Sequence, residues 1–345
     1  MEPSFVIGSR SRIYIGSVSE ILPQVLPERR VVAISDAAID RLYHELLAPY
    51  GAVLVGKGES IKTLQTIEGI YRRFLEAGID RSTFVLGIGG GIVTDIAGFA
   101  ASTYMRGLRF GFIPTTLLGQ VDAAIGGKNG VNVDGYKNMA GTFTQPEFVI
   151  CDPELLATLP DREFRAGLAE IIKTAIIADA ELFARLEATD FAQLRRDKKL
   201  LTEVIRAAVC VKVEIVARDE READERRKLN LGHTLAHAIE KCSVRMNHGE
   251  AVAVGIRLIA EAAVKADLLT AADCERICAL LQKSGFALET PVEMKRMLKE
   301  GAKDKKNKDG QLRIVFPTAI GSCTIQTLSP TAFAALLPAK EKVKG

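Results

Sequence analysis

Short apolar runs alternate with amphipathic segments through the first 152 residues of the chain. Strands are predicted at residues 4–17, 30–36, 52–55, 83–88, 110–116 and 148–152. Between them, residues 39–47 and 63–77 carry apolar positions at helical spacing, and a further helix follows the run that ends at residue 88. Strands that alternate with helices indicate a parallel sheet in an α/β fold.

The pattern changes after Pro153, where long amphipathic segments dominate. Helical spacing is found in residues 162–189, 191–218, 228–242, 249–268, 271–283 and 292–299. No strong strand pattern occurs in this half before residues 312–317, so we predict that it is almost wholly helical. The change places a domain boundary near residues 150–160. We therefore predict an α/β domain over residues 1–155 and an all-helical domain over residues 156–345.

Composition and charge argue against several classes of protein, namely nucleic-acid-binding, membrane-bound and secreted proteins. The 345 residues are 48% hydrophobic and carry a formal net charge of +3, which argues against binding to nucleic acid or to a membrane surface. No apolar run approaches the length of a membrane span. The sequence shows no secretory pattern, and its six cysteines are scattered without a C-x-x-C pair. These features favour a cytoplasmic protein with reduced thiols.

Three of the four histidines fall close together, at His233, His237 and His248. The first two are four residues apart among apolar neighbours, so they share one face of a helix that we expect to be buried. Buried imidazoles need partners, and a metal, an anion or a carboxylate would each supply one. The alternative is a pair of core histidines bonded to backbone, since the pattern lacks the glutamate of a zinc protease motif.

An acid and a base lie on another apolar segment, where we expect them to be buried; an ordinary surface ion pair is the alternative. Glu170 and Lys173 are three residues apart on one helical face, and a buried unpaired charge is too costly to be idle. Glu170 is therefore the best candidate for a third ligand beside two histidines, and His248 precedes an apolar helix, a typical ligand position. Two histidines and a carboxylate would leave a position open for substrate on Zn²⁺.

A glycine-rich turn follows the predicted strand that ends at residue 88. Three consecutive glycines, residues 89–91, would let the backbone approach a pyrophosphate at the start of a helix, although a tight packing turn is the alternative. Asp95 in the first helical turn either favours the helix dipole or binds a cofactor group. Polar side chains also follow other strands, where a nucleotide ribose is usually held: Asp36, Glu59, Thr115 and Thr116.

Basic residues are interspersed with glycines in residues 120–139. Lys128 and Lys137 on such a segment suit a substrate phosphate, and a solvated loop is the alternative. Arg106 follows a long apolar helix, where a lone arginine is more often structural.

These segments together resemble the 3-dehydroquinate synthase family, and the resemblance covers nearly the whole chain. The matching motifs are residues 89–95, 101–107, 114–122, 125–128, 137–139, 169–173, 230–234 and 248–252. The resemblance implies an N-terminal Rossmann-like NAD-binding domain and a C-terminal helical metal- and substrate-binding domain, with the active site in the cleft between them. It also implies a homodimer.

The resemblance implies a role for individual residues. The metal ligands would be Glu170, His233 and His248. The NAD⁺ contacts would be Asp36, Glu59, Lys62, Gly91, Ile92, Val93, Thr94, Asp95, Thr115, Thr116, Lys128, Lys137 and Thr158. The substrate contacts would be Asp122, Lys128, Asn138, Lys173, Lys212, Glu222, Arg226, Asn230 and one of Lys305 or Lys306. His237 would contact the substrate phosphate and relay a proton, and Arg106 would reach the neighbouring subunit's site.

The implied activity converts 3-deoxy-D-arabino-heptulosonate 7-phosphate, a phosphorylated sugar acid, to 3-dehydroquinate and phosphate. It uses NAD⁺ transiently and Zn²⁺, with Co²⁺ as a possible substitute. The alternatives are a related sugar phosphate cyclase, a metal-dependent polyol dehydrogenase and a nucleotide-binding regulatory protein. The sequence departs from the family at Thr94 and Ala236, where glycine is usual, at Asn247, where an apolar residue is usual, and at Asp224.

Overall fold

The computed structural model describes residues 2–8, 11–243, 245–290, 292–301 and 310–338. The chain forms two compact units. The first body comprises Met1–Phe164 and Lys198–Arg221, and the second body comprises Arg165–Asp197 and Glu222–Gly345. The division into domains at residues 1–155 and 156–345 remains a prediction.

The strands are β1 Phe5–Ile7, β2 Ser11–Ile15, β3 Val31–Asp36, β4 Val53–Val55, β5 Phe84–Gly89, β6 Arg109–Pro114, β7 Lys128–Val133, β8 Tyr136–Phe143, β9 Phe148–Cys151, β10 Leu312–Ala319 and β11 Ser322–Leu328. The helices are α1 Val18–Val25, α2 Ala37–Leu42, α3 His44–Leu47, α4 Leu64–Glu76, α5 Gly91–Thr103, α6 Asp161–Ala178, α7 Ala180–Ala188, α8 Phe191–Arg196, α9 Lys198–Arg218, α10 His233–Cys242, α11 His248–Lys265, α12 Ala271–Lys283, α13 Met294–Gly301 and α14 Pro330–Leu336. Shorter 3₁₀ segments lie at Ala48–Tyr50, Glu59–Ile61, Tyr104–Arg106, Pro153–Leu156 and Glu225–Asn230, and a π-helical turn lies at Gly119–Ala123.

A seven-stranded sheet in the order β1-β2-β9-β6-β5-β3-β4 is the centre of the first body. All neighbouring strands are parallel except β1 and β2, which form an antiparallel edge. Every residue of β5 is buried, as expected for a parallel strand covered on both faces. Phe84 of β5 stacks on Phe148 of β9, with ring centroids 5.6 Å apart. The predicted α/β fold is confirmed.

Two stretches of the first body differ from the prediction. The predicted strand at residues 4–17 is two strands that turn back on each other. The glycine-rich segment that contains Lys128 and Lys137 is a β-hairpin, β7–β8. Its turn residues Asp134 and Gly135 both have positive φ, of 50° and 76°, which is the Asp-Gly signature of a tight hairpin turn.

The second body is mainly helical, as predicted, and also contains the antiparallel hairpin β10–β11. The apolar helix α11 is its central element, since α10, α12, α14 and β10 all pack against it. The helix predicted over residues 162–189 ends before Asp179, whose carboxylate accepts the Leu182 amide at 2.8 Å and starts α7. Within the described part of the chain, no helix is long and apolar enough to cross a membrane.

Candidate active site

Glu170, His233 and His248 come together inside the second body. Glu170 lies in the middle of α6 and is fully buried, while the two histidines are the first residues of α10 and α11. One ligand atom from each residue lies within 4.8 Å of the others. His248 Nε2 is 3.2 Å and His233 Nε2 is 3.7 Å from Glu170 Oε1. The donor set and spacing therefore suit a divalent cation such as Zn²⁺.

Glycines allow the three helices to approach closely enough for this cluster. A Cβ on Gly249 would lie 2.3 Å from Ala166 Cα, so the first turn of α11 rests on the backbone of α6. A Cβ on Gly255 would lie 2.2 Å from the carbonyl oxygen of Gly232, the residue that precedes α10. The two contacts fix His248 beside Glu170 and hold the start of α10 against α11.

Each histidine has a second partner that orients its ring. His233 Nδ1 lies 3.1 Å from the Leu231 carbonyl oxygen, to which it donates in the neutral state. His248 Nδ1 lies 3.2 Å from Glu240 Oε1. In both rings Nε2 is then directed at Glu170, the arrangement usual for metal-bound histidines. Sequence reasoning missed Glu240, although it lies seven residues after His233, on the same face of α10.

The electrostatics of the cluster are compatible with a cation. Burial lowers the pKa of His233 to about 3, with a further contribution from the charge of Lys173, so this imidazole is neutral and able to bind metal. Burial also disfavours a charged His248, but hydrogen bonds to Glu170 and Glu240 outweigh it and raise the pKa of His248 to about 10. A bound cation would replace that proton. Lys173 pairs with Glu170 in the protein interior.

Asn247, a departure from the family pattern, has a local structural role. Its side chain accepts the Glu250 amide at 3.0 Å, and the Glu250 carboxylate accepts the Asn247 amide at 2.8 Å. This capping box starts α11 at His248. Asn247 therefore fixes the position of a cluster residue without entering the cluster.

The other predicted site residues of the second body lie on the segment before α10 and on α10 itself. Arg226 is almost fully buried, and Asn230 donates to Glu222 Oε1 at 2.5 Å. Glu222 has φ of 59°, an uncommon conformation that often accompanies functional sites. The His237 ring lies perpendicular to that of His233, with centroids 5.6 Å apart. Lys305 and Lys306 lie outside the described residues.

The glycine turn of the first body is tightly packed. A Cβ on Gly91 would lie 2.9 Å from Ala123 Cβ, and one on Gly90 would lie 3.1 Å from a Thr116 methyl carbon. The turn leads from β5 directly into α5, where the amides of the first helical turn lack partners within the helix. Ile92 and Val93 lie in the first turn of α5. The residues present therefore fit a pyrophosphate at the N-terminus of α5.

Two threonines near this turn differ in their hydrogen bonding. Thr94 is buried, and its hydroxyl donates to the Gly91 carbonyl oxygen at 3.0 Å. The hydroxyl that distinguishes this residue from the glycine usual in the family is therefore bonded to the backbone of α5 itself. Thr116 accepts the Gly119 amide at 3.0 Å. The buried hydroxyl of Thr115 has no hydrogen-bond partner among the described residues, which leaves it available to a ligand.

Lys62 connects two groups of predicted site residues. Its buried ammonium group pairs with Asp95 and donates to Asn138 Oδ1 at 2.6 Å. Burial raises the pKa of Asp95, and the positive charge of Lys62 opposes the shift. Glu59 accepts from Asn132 Nδ2 at 2.8 Å. The structure thus brings the predicted cofactor residues Glu59, Lys62 and Asp95 close to the predicted substrate residue Asn138.

The remaining predicted residues of the first body lie on several elements. Asp36 caps α2 by accepting the Ala38 and Ile39 amides at 2.7 and 3.1 Å. Asp122 pairs with Lys212 of α9. Thr158 bonds to the Tyr43 hydroxyl at 2.6 Å. Lys128, Lys137 and Arg106 are exposed, and Arg106 has φ of 71°.

Two family models match consecutive parts of the chain. Residues 52–166 match the family model described as 3-dehydroquinate synthase N-terminal, and residues 167–307 match 3-dehydroquinate synthase C-terminal. The 3-dehydroquinate synthase of Halorhodospira halophila is 43% identical over 330 residues, which cover 92% of this chain and 93% of the relative. That of Microcystis aeruginosa is 46% identical over 288 residues, which cover 81% and 78%.

A solved structure gives the same picture of the fold. The 2-epi-5-epi-valiolone synthase of Streptomyces hygroscopicus, with NAD⁺ and Zn²⁺ bound, superimposes with a TM-score of 0.86 at 30% identity. The match covers 97% of this chain and 98% of that one.

Proposed function

The chain belongs to the 3-dehydroquinate synthase family, and on that premise we propose that it converts 3-deoxy-D-arabino-heptulosonate 7-phosphate to 3-dehydroquinate and phosphate. The reaction is that of a carbon–oxygen lyase of the shikimate pathway, which supplies aromatic amino acids. The observation that carries the proposal is the convergence of Glu170, His233 and His248 in a chain that matches both halves of the family.

The metal ligands in this proposal are Glu170, His233 and His248, which would hold Zn²⁺ or Co²⁺. When bound, the cation polarises the C5 hydroxyl of the substrate and lowers its pKa. Glu240 and the Leu231 carbonyl keep the two Nε2 atoms aimed at the site. Lys173 balances the charge of Glu170 and supplies a donor for the substrate.

NAD⁺ would be held by the first body. When bound, it accepts a hydride from the substrate and returns it later in the cycle, so there is no net oxidation. The backbone amides at the start of α5 would bind the pyrophosphate. The Thr115 hydroxyl would form a hydrogen bond to the cofactor, and Asp36 and Glu59 would accept hydrogen bonds from the ribose hydroxyls. The other proposed contacts are Lys62, Ile92, Val93, Thr94, Asp95, Thr116, Lys128, Lys137 and Thr158.

The substrate is an acid that also carries a phosphate, so its contacts are mainly cations and amides. Lys128, Lys173, Lys212 and Arg226 would neutralise its charges. Its remaining contacts would be Asp122, Asn138, Glu222, Asn230, His237 and Lys305. Phosphate would leave the substrate by β-elimination, and we propose that His237 holds it and relays a proton. Retention of Lys212, Arg226 and Asn230 favours an acidic substrate over the neutral sugar phosphates of related cyclases.

We further propose a cytoplasmic homodimer in which Arg106 of one subunit reaches the substrate site of the other. Its exposed position and strained backbone support this role. Size measurement in solution, combined with loss of turnover in Arg106→Ala, would test it.

The test of function is an assay with purified protein, NAD⁺, Zn²⁺ and the heptulosonate phosphate. We expect phosphate and 3-dehydroquinate in equal amounts, with no accumulation of NADH. Stoichiometric NADH would instead identify a polyol dehydrogenase, and turnover of sedoheptulose 7-phosphate alone would identify a related cyclase. A regulatory protein would bind the nucleotide without turnover.

A further inference from the structure

The hairpin β7–β8 loses its regular pairing at Asn132. Val131 pairs with Ala140 and Val133 pairs with Tyr136, so residues 137–139 of β8 stand opposite the single residue Asn132. Asn138, in the middle of these three, has φ of 53°. A left-handed conformation at a residue other than glycine persists only where its neighbours support it.

The Asn132 side chain gives that support. Its Oδ1 accepts the backbone N–H of Asn138 at 2.9 Å and so takes the place of the acceptor that a regular β-ladder would offer. With its backbone held in this way, Asn138 receives a hydrogen bond from Lys62 Nζ on its side-chain oxygen, at 2.6 Å.

The same carboxamide also holds a second segment. Its Nδ2 donates to Glu59 Oε1 at 2.8 Å, and the Asn132 backbone N–H donates to the Lys62 carbonyl at 2.7 Å. Thr63 forms a β-bridge with Asn132. An asparagine side chain has both a donor and an acceptor, and here one serves the 59–63 segment while the other serves the hairpin.

We infer that Asn132 is a positioning residue that fixes Glu59 and Asn138 relative to each other, and that NAD⁺ binding and substrate binding both depend on its carboxamide. The inference rests on the proposed function, in which Glu59 contacts NAD⁺ and Asn138 contacts the substrate. Asn132 acts through these two residues and touches neither ligand.

The test measures the NAD⁺ dissociation constant by calorimetry on the full-length, zinc-loaded protein, and the substrate KM at saturating NAD⁺. Asn132→Asp keeps the acceptor for Asn138 but turns a carboxylate toward Glu59. The NAD⁺ dissociation constant should rise roughly 10- to 100-fold, with a smaller change in KM. Asn132→Ala removes both hydrogen bonds and should raise both quantities. Gln24→Glu, the same chemical change on α1, is the control and should alter neither.

A double-mutant cycle separates positioning from a general structural effect. If Asn132 acts through Glu59, then adding Asn132→Asp to Glu59→Gln should raise the dissociation constant by less than about threefold. Additive effects would overturn the inference. Should Asn132→Asp fail to fold, as judged by thermal denaturation, Asn132→Ser replaces it, since serine is too short to reach Glu59, and it should also weaken NAD⁺ binding.

Comparison of the wild type with the Asn132 variants distinguishes a failure of the proposed function from a failure of the proposed role of Asn132. Wild-type protein that neither binds NAD⁺ nor turns over the substrate would contradict the proposed function. Wild-type protein that binds NAD⁺, together with Asn132 variants that bind it equally well, would contradict the role of Asn132 alone.

Discussion

Glu240 determines which nitrogen of His248 is directed at Glu170. The carboxylate lies 3.2 Å from Nδ1, and this contact leaves Nε2 3.2 Å from Glu170 Oε1. His233 obtains the same orientation from the Leu231 backbone carbonyl, which no side-chain substitution removes. Of these two orienting contacts, the one at His248 is the one that mutation can test.

We predict that Glu240→Ala lowers the affinity for zinc by about 10- to 100-fold, because His248 loses the partner that fixes its ring. Glu240→Gln keeps an acceptor for Nδ1–H without the charge, so its loss should be smaller. Competition with a chromogenic chelator measures both affinities. Glu275→Gln, at an exposed position of α12, is the matched control. Wild-type affinity in Glu240→Ala would show that Glu240 does not orient the ligand.

Residues such as Glu240 and Asn132 show where sequence reasoning reaches its limit. Glu170 can be identified from the sequence because a charge within an apolar helix is costly to bury unless it has a partner. Glu240 and Asn132 sit in ordinary surroundings and gain their roles from partners that folding brings to them: His248 in one case, and Glu59 with Asn138 in the other.

At the scale of elements, the position of α11 depends on glycines that have no Cβ. The first turn of α11 rests on Ala166 of α6, which leaves no room for a side chain at Gly249. Helix spacing in the sequence predicts α6 and α11 as separate helices. It does not predict that they touch through this glycine, because the contact joins residues far apart in the chain.

Gly249→Ala should therefore separate α11 from α6. We expect a loss of about 1–3 kcal/mol in the free energy of unfolding, together with weaker zinc binding because His248 moves away from Glu170. Denaturant titration and chelator competition measure the two effects. The control is Gly69→Ala in α4, where a Cβ would meet nothing within 4 Å. That change should stabilise the protein by about 0.5–1 kcal/mol. Equal behaviour of the two variants would contradict the close-packing argument.

The elements that the sequence predicts well are those with a continuous local pattern. The buried strand β5 and the helix α12 follow their apolar spacing closely. The helix predicted over residues 191–218 is instead α8 and α9, separated at Asp197. The hairpin β7–β8 was missed because its glycines and lysines resemble a loop, although the Asp134–Gly135 pair was a usable turn signal.

At the scale of the whole molecule, the residues proposed to bind NAD⁺ and those proposed to bind the metal belong to different bodies. Every proposed NAD⁺ contact belongs to the first body, and all three proposed metal ligands belong to the second body. The proposed substrate contacts come from both, with Asp122, Lys128, Asn138 and Lys212 in the first body and Lys173, Arg226 and Asn230 in the second body. Each body thus has its own ligand, and turnover needs both ligands.

This division predicts that the two binding events are nearly independent. Because no residue is both a proposed NAD⁺ contact and a proposed metal ligand, we expect the two sites to contribute additively, so chelation of the metal should change the NAD⁺ dissociation constant by no more than about twofold. Asp95→Asn should weaken NAD⁺ binding, because it removes the negative partner of Lys62, and should leave the zinc affinity unchanged. Chelation and Asp95→Asn should each abolish turnover. Added zinc should restore turnover to the chelated wild type but not to Asp95→Asn. Calorimetry with each ligand measures the two affinities, and loss of NAD⁺ binding on chelation would mean that the metal also organises the cofactor site.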